Sequence, residues 1–209
     1  MSGPGAGARS KPPTDRGRVV TAFVELVAER GYQHVELSEA SARAELPPGA
    51  AERYFPDRLA CFEAGWDFLE RLFVDRLQVA YEPLEDWRDR LRAAAGETAR
   101  LLEHFPKQAH FLAVDALSVG EAGRARQQAL AARLAVFLDE AREDLSDPGA
   151  APAATSGWVI GLFFDRIYRY TSTGREEQFA RDLPELMFLS VSSYFGPEAG
   201  LSELRDFDP

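Results

Sequence analysis

The chain has 209 residues, a net charge of −10 and a single cysteine, Cys61. This length allows a small domain plus one larger domain, and one cysteine excludes an internal disulfide and fits a reducing cytoplasm. No stretch approaches the ~18 uninterrupted apolar residues of a transmembrane helix, so we expect no membrane partner. Residues 61–209 hold 16 basic and 26 acidic residues, which argues against contact between that region and nucleic acid or anionic lipid.

Residues 1–14 are rich in Gly, Pro, Ser and Ala and show no hydrophobic periodicity. This composition predicts a disordered tail, and the absence of an apolar core excludes a signal peptide. The tail carries two basic residues, Arg9 and Lys11. These residues allow either a basic arm that reaches into a DNA minor groove or a plain flexible terminus.

Residues 15–58 have the apolar spacing of three short helices. The first apolar run stops at Gly31, where a glycine ends a helix at little cost. The second helix has one small apolar face, with Ser38 as its candidate cap. The third helix follows a tight connection, with a proline at its opening, and is broken at Pro56. Two short helices joined by a tight turn form the helix-turn-helix pattern.

A set of small, aromatic and basic residues gives this pattern its specificity: Gly31, Tyr32, Leu37, Ala40, Ser41, Arg43, Ala44, Leu46, Gly49, Tyr54, Phe55, Pro56 and Arg58. With them, residues 18–62 resemble the amino-terminal signature of the TetR family of transcriptional regulators without a gap. The resemblance implies an all-helical homodimer with a helix-turn-helix domain over residues 15–58. It also implies a ligand-binding and dimerisation domain over residues 59–209, in which a small-molecule effector releases the protein from double-stranded operator DNA.

The resemblance places the DNA contacts in the amino-terminal domain. The predicted DNA-binding residues are Arg16, Arg18, Pro48, Gly49, Ala50, Arg53, Tyr54 and Arg58. For the arginines, the alternative is an ordinary solvated helix surface. Residues 14–60 hold six basic and eight acidic residues, whereas a DNA-binding domain usually presents a basic face.

Several positions depart from the family pattern. The family places glycine where Glu45 stands, and a positive φ at that turn would cost this residue about 1 kcal/mol or more. Residues 47–51, Pro-Pro-Gly-Ala-Ala, open the recognition helix without a side chain that can hydrogen-bond a base. Glu36 and Glu52 stand at two phosphate-facing positions, where an acid repels the DNA backbone.

Beyond residue 58 the sequence predicts helices throughout, about nine in the whole chain, and no strands. The fold class is therefore predicted to be all-α. The last two predicted helices, residues 153–173 and 176–195, are apolar on nearly every side and must be covered. The alternatives are burial within one subunit and a four-helix bundle across a two-fold axis, as in TetR-like proteins. The residues predicted for a homodimer interface are Trp158, Phe163, Ile167, Leu186, Leu189 and Tyr194.

The aromatic residues of the larger domain favour an apolar ligand cavity between helices. The candidate lining residues are Trp66, Phe73, Trp87, Phe111, Phe137, Trp158, Phe164 and Asp165. For each aromatic residue the alternative is ordinary core packing. Asp165 lies in an apolar helix, where a carboxylate needs a partner. That partner is Arg169 one turn on, an arginine of another helix, or the ligand.

The sequence predicts no enzyme, no metal site and no cofactor. The three histidines, His34, His104 and His110, lack metal-ligand spacing, and neither a nucleophile elbow nor a phosphate-binding loop is present. Two hypotheses therefore remain. The first is a cytoplasmic, TetR-like transcriptional repressor whose DNA binding is controlled by a small apolar ligand. The second is a ligand- or protein-binding module of the same fold that has lost sequence-specific DNA binding.

Overall fold

The computed structural model describes residues 14–205, apart from the side chain of Pro148. Residues 1–13, which are predicted to be disordered, lie outside these described residues. Thr14, which was assigned to the tail, is instead the N-cap of the first helix, because its hydroxyl accepts the Gly17 N–H at 3.1 Å. All regular elements of the described chain are helical, so the all-α prediction is confirmed. Within this part of the chain, no helix is both long and apolar enough to cross a membrane.

The amino-terminal domain, called the head below, contains three helices: α1 (Asp15–Arg30), α2 (Leu37–Arg43) and α3 (Ala50–Tyr54). α1 ends at Gly31, which adopts a φ of 82° and so stops the helix without a Cβ clash. A one-turn 3₁₀ helix, Tyr32–His34, leads to α2. The buried centre of the head is formed by Val19, Phe23, Val27, Val35, Ala40 and Ala51, each fully buried.

The cap of α2 differs from the prediction. Glu36, rather than Ser38, is the N-cap, because the backbone stays extended through Glu36. Its carboxylate accepts the Glu39 N–H, and its own N–H donates to Glu39 Oε2 at 2.9 Å. This capping box satisfies free donors of the first helical turn. Glu36 therefore has a structural role at a position that the resemblance predicted to face a phosphate.

The turn between α2 and α3 is strained, as the sequence predicted. Glu45 has a φ of 55°, the left-handed conformation that favours glycine. The two prolines do not open α3: they precede it, and the helix begins at Ala50 after Gly49, whose φ is 78°. Ser41 Oγ accepts the Ala51 N–H at 2.9 Å and thereby fixes α3 against α2.

The remaining helices are α4 (Arg58–Tyr81), α5 (Trp87–His104), α6 (Pro106–His110), α7 (Ala116–Ser118), α8 (Glu121–Asp139), α9 (Thr155–Thr171), α10 (Glu177–Phe195) and α11 (Pro197–Arg205). One π-helical turn, Phe111–Asp115, connects α6 to α7. Short 3₁₀ segments, Glu140–Asp144 and Pro148–Ala150, lie between α8 and α9. α11 was not among the predicted helices, although Pro197 stands at its first position, where proline is well tolerated.

Two apolar cores organise the described residues. The first joins the head to the larger domain through Phe23 of α1, Phe62 of α4 and Phe111 of the π-helical turn. The second holds α5, α9 and α10 together around residues such as Leu183 and Met187. α4 begins in the head and runs into the larger domain, and the first core is continuous across both.

Candidate DNA-binding surface and ligand cavity

The predicted phosphate-binding arginines have different surroundings. Arg58 donates from Nη1 to the carbonyls of Gln33 and Val35, both at 3.3 Å. Its guanidinium also lies 4.6 Å from the Tyr32 ring centroid and 3.8 Å from Glu36 Oε1. Through these Nη1 contacts Arg58 fastens the loop before α2 to the start of α4.

Arg18 is also engaged within the chain. Its Nη2 donates to the Ala44 carbonyl, at the carboxyl end of α2, and its Nη1 lies 3.6 Å from Asp15 Oδ1. Arg16 lies with its guanidinium 4.9 Å from the Phe55 ring centroid. The contacts of Arg18 with the Ala44 carbonyl and of Arg16 with the Phe55 ring hold the first turn of α1 against the helix-turn-helix.

Arg53 is the predicted contact residue that is most available to DNA. It is exposed on α3 and has no hydrogen bond or ion pair to another described residue. Tyr54 is 40% exposed, and Pro48 and Gly49 are exposed before the helix. Ala50 is different: it is 1% exposed, so a base could not reach its methyl group.

The two other arginines of the head are paired with acids. Arg30 donates to Glu39 Oε1 at 2.9 Å, and Arg43 donates to Glu29 Oε2 at 2.9 Å. Of the six arginines in the described head, only Arg16 and Arg53 lack a hydrogen bond or ion pair to another described residue. Glu36, Glu45 and Glu52 are exposed on the same domain. The electrostatic attraction of this surface for DNA is therefore small.

A cavity of about 270 Å³ lies between α4, α5, α6, α8 and α9. No Asp, Glu, Lys, Arg or His side chain is among its lining residues. Phe68 and Leu72 of α4 and Phe105 at the end of α5 belong to the lining and are 52%, 46% and 49% exposed. Since these three side chains reach solvent, the cavity opens between α4 and α5. An enclosed apolar volume with such a mouth suits an apolar ligand.

Three of the eight predicted lining residues, Phe73, Phe137 and Phe164, line this cavity. Phe163 and Ile167, which were predicted for the dimer interface, line it as well. The sequence did not single out the aliphatic part of the wall, because leucines at helical spacing are typical of any core. That part is Leu69, Leu77, Leu91, Leu101, Leu102, Leu112, Leu130, Leu134, Leu138 and Ile160.

Three other predicted lining residues lie in the two cores instead. Trp66 is fully buried, and its Nε1 donates to Glu70 Oε2 at 2.7 Å. The ring of Phe111 stacks on Phe62 with centroids 4.8 Å apart. Trp87 is 3% exposed, and its Nε1 donates to the Phe137 carbonyl at 3.2 Å. These aromatic side chains are held by packing partners that a single sequence does not reveal.

The last two predicted lining residues face away from the cavity. Trp158 is 70% exposed on α9. The carboxylate of Asp165 is 54% exposed and lies 3.4 Å from Arg169 Nη2, so water and the arginine one turn on solvate it. Of the three partners considered for Asp165, the structure therefore shows Arg169, and the pair lies on the exposed face of α9 rather than in an apolar environment.

The residues predicted for the dimer interface also fall into an exposed group and a buried group. Trp158 and Leu189 are 70% and 44% exposed in the single chain. Leu186 and Tyr194 are 2% and 5% exposed and pack in the second core. Fewer of the predicted interface residues are therefore exposed on α9 and α10 than the sequence predicted.

α6 lies between the cavity and the head. Gln108 and Ala109 line the cavity, and Lys107 Nζ lies 2.8 Å from Glu29 Oε1 at the end of α1. Hydrogen bonds from Arg43 and then from Lys107 lower the pKa of Glu29 to about 2, so this carboxylate is charged at neutral pH. Glu29 thus connects α6 to α1 and α2.

The fold and the cavity can be compared with solved structures. The fatty acid degradation regulator FadR of Bacillus halodurans superposes with a TM-score of 0.75 at 14% identity, over 88% of this chain and 96% of that chain. The transcriptional regulator FadR of Bacillus subtilis, solved with stearoyl-CoA, gives 0.74 at 15% identity, over 84% and 97%. A TetR-family regulatory protein of Rhodococcus RHA1 gives 0.69 at 13% identity, over 85% and 97%.

The chain therefore has the fold of TetR-family transcriptional regulators, and the resemblance drawn from residues 18–62 is confirmed for the fold. No protein-family model and no curated protein matches the sequence. These similar structures are regulators rather than enzymes.

Proposed function

We propose that the protein is a one-component transcriptional repressor of the cytoplasm. It binds double-stranded operator DNA through residues 15–58 as a homodimer, and a small apolar ligand in the cavity of residues 59–209 releases it. The observation that carries the proposal is the position of α4 and α6. Both helices line the cavity, and both are attached to the head, α4 by continuity and α6 through Lys107 and Glu29.

DNA binding is assigned to the exposed part of the helix-turn-helix. Arg53 and Arg16 supply the cationic contacts, and Tyr54 supplies a hydroxyl for a phosphate. Pro48 and Gly49 offer backbone and apolar contacts to base edges. Arg18 and Arg58 are assigned mainly to holding the domain together, because each of them donates to backbone carbonyls of the head.

The ligand is assigned to the cavity between α4 and α9. The FadR of Bacillus subtilis was solved with stearoyl-CoA. The cavity of the present chain suits a hydrocarbon body, because its lining has no charged side chain. A ligand that fills the cavity would press on α4 and α6. The two heads of a dimer would then move out of register with successive major grooves.

The homodimer is assigned to the outer face of α9 and α10. Trp158 at 70% exposure is a large apolar side chain in water, and a second copy would cover it across a two-fold axis. Gly157 and Gly161 are exposed on the same helix, so two α9 helices can approach closely.

A second candidate function is favoured by one observation, the charge of the head. Four of its six arginines are used internally, and Glu36, Glu45 and Glu52 are exposed. A ligand- or protein-binding module that no longer reads DNA would tolerate this arrangement, since it needs no phosphate contacts.

Electrophoretic mobility shift of the purified protein on the DNA upstream of its own reading frame separates the two functions. The repressor predicts a saturable complex that unrelated DNA of equal length does not compete away. The matched control is Arg53→Glu, which should abolish the complex without unfolding the exposed helix surface. If the wild-type protein does not prefer its own upstream DNA even at about 50 mM salt, the ligand- or protein-binding module is the function that remains.

A further inference from the structure

The cavity wall contains four side chains with polar atoms, and three of them already have a hydrogen-bond partner. Thr98 Oγ1 donates to the Ala94 carbonyl at 2.9 Å. Gln78 Nε2 donates to Glu82. The Tyr81 hydroxyl lies 3.1 Å from the Phe137 carbonyl and 2.7 Å from Glu140 Oε2. Each of these groups therefore needs little from a ligand.

Gln108 of α6 is the fourth, and it is the exception. Its half-buried side chain lines the cavity and has no hydrogen bond to any other residue of the described chain. An amide offers two N–H donors and one oxygen acceptor. The amide atoms of Gln108 are not among the buried polar atoms that lack a partner, so water reaches them. An apolar ligand that displaces this water leaves them unpaired. A ligand with a hydrogen-bonding group supplies the partner that no other lining residue provides for the Gln108 amide.

The charge of the wall limits which polar group that can be. Because none of the lining side chains is ionisable as an acid or base near neutral pH, an ionised carboxylate or phosphate would leave water without a counter-charge. A hydroxyl, ketone, ester or amide carries no such penalty. A pure hydrocarbon would fit the wall but would leave Gln108 unpaired.

We infer that Gln108 is the specificity-determining contact of this cavity, and that the cavity selects an uncharged ligand with an apolar body and one hydroxyl or carbonyl group. This inference deepens the proposed function, because it names the ligand class of the same site. Gln108 follows Lys107, whose ammonium group binds Glu29 of the head at 2.8 Å. The ligand's polar group is therefore bound on the helix that is tied to the head.

Three probes with the same ring system test the inference by calorimetry on the full-length protein without DNA: naphthalene, 2-naphthol and 2-naphthoate. We expect 2-naphthol to bind about 2- to 10-fold more tightly than naphthalene, which is the value of one net hydrogen bond. We expect 2-naphthoate to bind more weakly than naphthalene. Tightest binding of 2-naphthoate, or no binding of any probe, would overturn the inference.

Gln108→Met and Gln78→Met are the matched variants, since both positions line the cavity and only Gln78 already has a partner. Gln108→Met should reduce the ratio of 2-naphthol to naphthalene affinity to about one and leave naphthalene binding intact. Gln78→Met should preserve the wild-type ratio. An unchanged ratio in Gln108→Met refutes the role of this residue. Because DNA is absent, these results do not depend on whether the head binds an operator.

Discussion

Arg53 and Arg58 are five positions apart, and their surroundings predict opposite effects of substitution. Arg53 is exposed without a partner among the described residues, whereas Arg58 donates to two carbonyls of the head. Arg53→Ala should weaken DNA binding and flatten its salt dependence while the protein stays equally stable. Arg58→Ala should lower the free energy of unfolding by about 1–3 kcal/mol, the usual value for hydrogen bonds from a charged donor.

Fluorescence anisotropy with labelled DNA and urea denaturation of the same two variants check this prediction. A loss of stability in Arg53→Ala, or an undisturbed stability in Arg58→Ala, would mean that the roles of the two arginines are assigned wrongly.

Glu45 offers a test of backbone strain at the turn of the helix-turn-helix. Its φ of 55° is unfavourable for a residue with a Cβ, so Glu45→Gly should raise the free energy of unfolding by about 1 kcal/mol despite the entropy that glycine adds to the unfolded chain. Glu45→Ala is the control, because it removes the charge and keeps the Cβ. Equal urea midpoints for the two variants would show that charge rather than strain matters at this turn.

At the residue scale, the strain at Glu45 could be predicted from the sequence, because a family position that normally holds glycine reveals its backbone conformation. The hydrogen-bond partners of the arginines could not be predicted from the sequence. Arg18 and Arg58 bind carbonyls that are 26 and up to 25 positions away in the chain, and such pairs depend on how the helices pack. The burial of Ala50 likewise follows from the packing of α3 on α2.

Among the elements, two helical glycines have opposite consequences. A Cβ on Gly123 of α8 would collide with the carbonyl oxygen of Ala116, which follows the π-helical turn, whereas a Cβ on Gly96 of α5 meets no atom within 4 Å. Gly123→Ala should therefore destabilise the protein by about 1–3 kcal/mol through overpacking. Gly96→Ala should stabilise it by up to about 1 kcal/mol, because alanine is the better helix former.

Thermal and urea unfolding of the two glycine variants give these differences directly. A Gly123→Ala variant as stable as the wild type would show that α8 can shift away from α7 at no cost, contrary to the close contact described above.

The helices themselves were predictable because apolar residues recur with helical spacing along most of the chain. Their ends were less predictable. α5 begins at Trp87 because the Asp86 carboxylate accepts the N–H groups of Arg88 and Asp89 at 2.9 and 3.1 Å, and α2 is capped by Glu36 rather than by Ser38. Several polar residues near a helix start can serve as caps, and only the packed backbone selects one of them.

For the whole molecule, the exposed tryptophan of α9 gives a prediction about assembly. Trp158→Glu should convert a dimer into a monomer without unfolding it, since this side chain is 70% exposed in the single chain and makes its proposed contacts only with a second copy. Val136→Glu on α8, where valine is 65% exposed, is the control and should leave the dimer intact. Sedimentation velocity distinguishes the species, and a dimeric Trp158→Glu variant would place the interface elsewhere.

The presence of an apolar cavity agrees with the aromatic composition, but its wall could not be derived from the sequence. Aromatic residues at helical spacing occur both in the cores and in the cavity wall. Trp66, Trp87 and Phe111 pack in the cores, whereas Phe73, Phe137 and Phe164 line the cavity. Which of these roles a residue has depends on the angle between helices that are distant in the chain.

The salt dependence of binding to the protein's own upstream DNA tests the central claim most directly. A dimer in which the described residues of each head offer only Arg16 and Arg53 as unpaired cations should bind with a slope of log affinity against log salt of about −4 or shallower. That slope should flatten by about two in Arg53→Ala, because each of two heads loses one phosphate contact. The absence of saturable binding to this DNA at about 50 mM salt would contradict the account of the protein as a DNA-binding regulator.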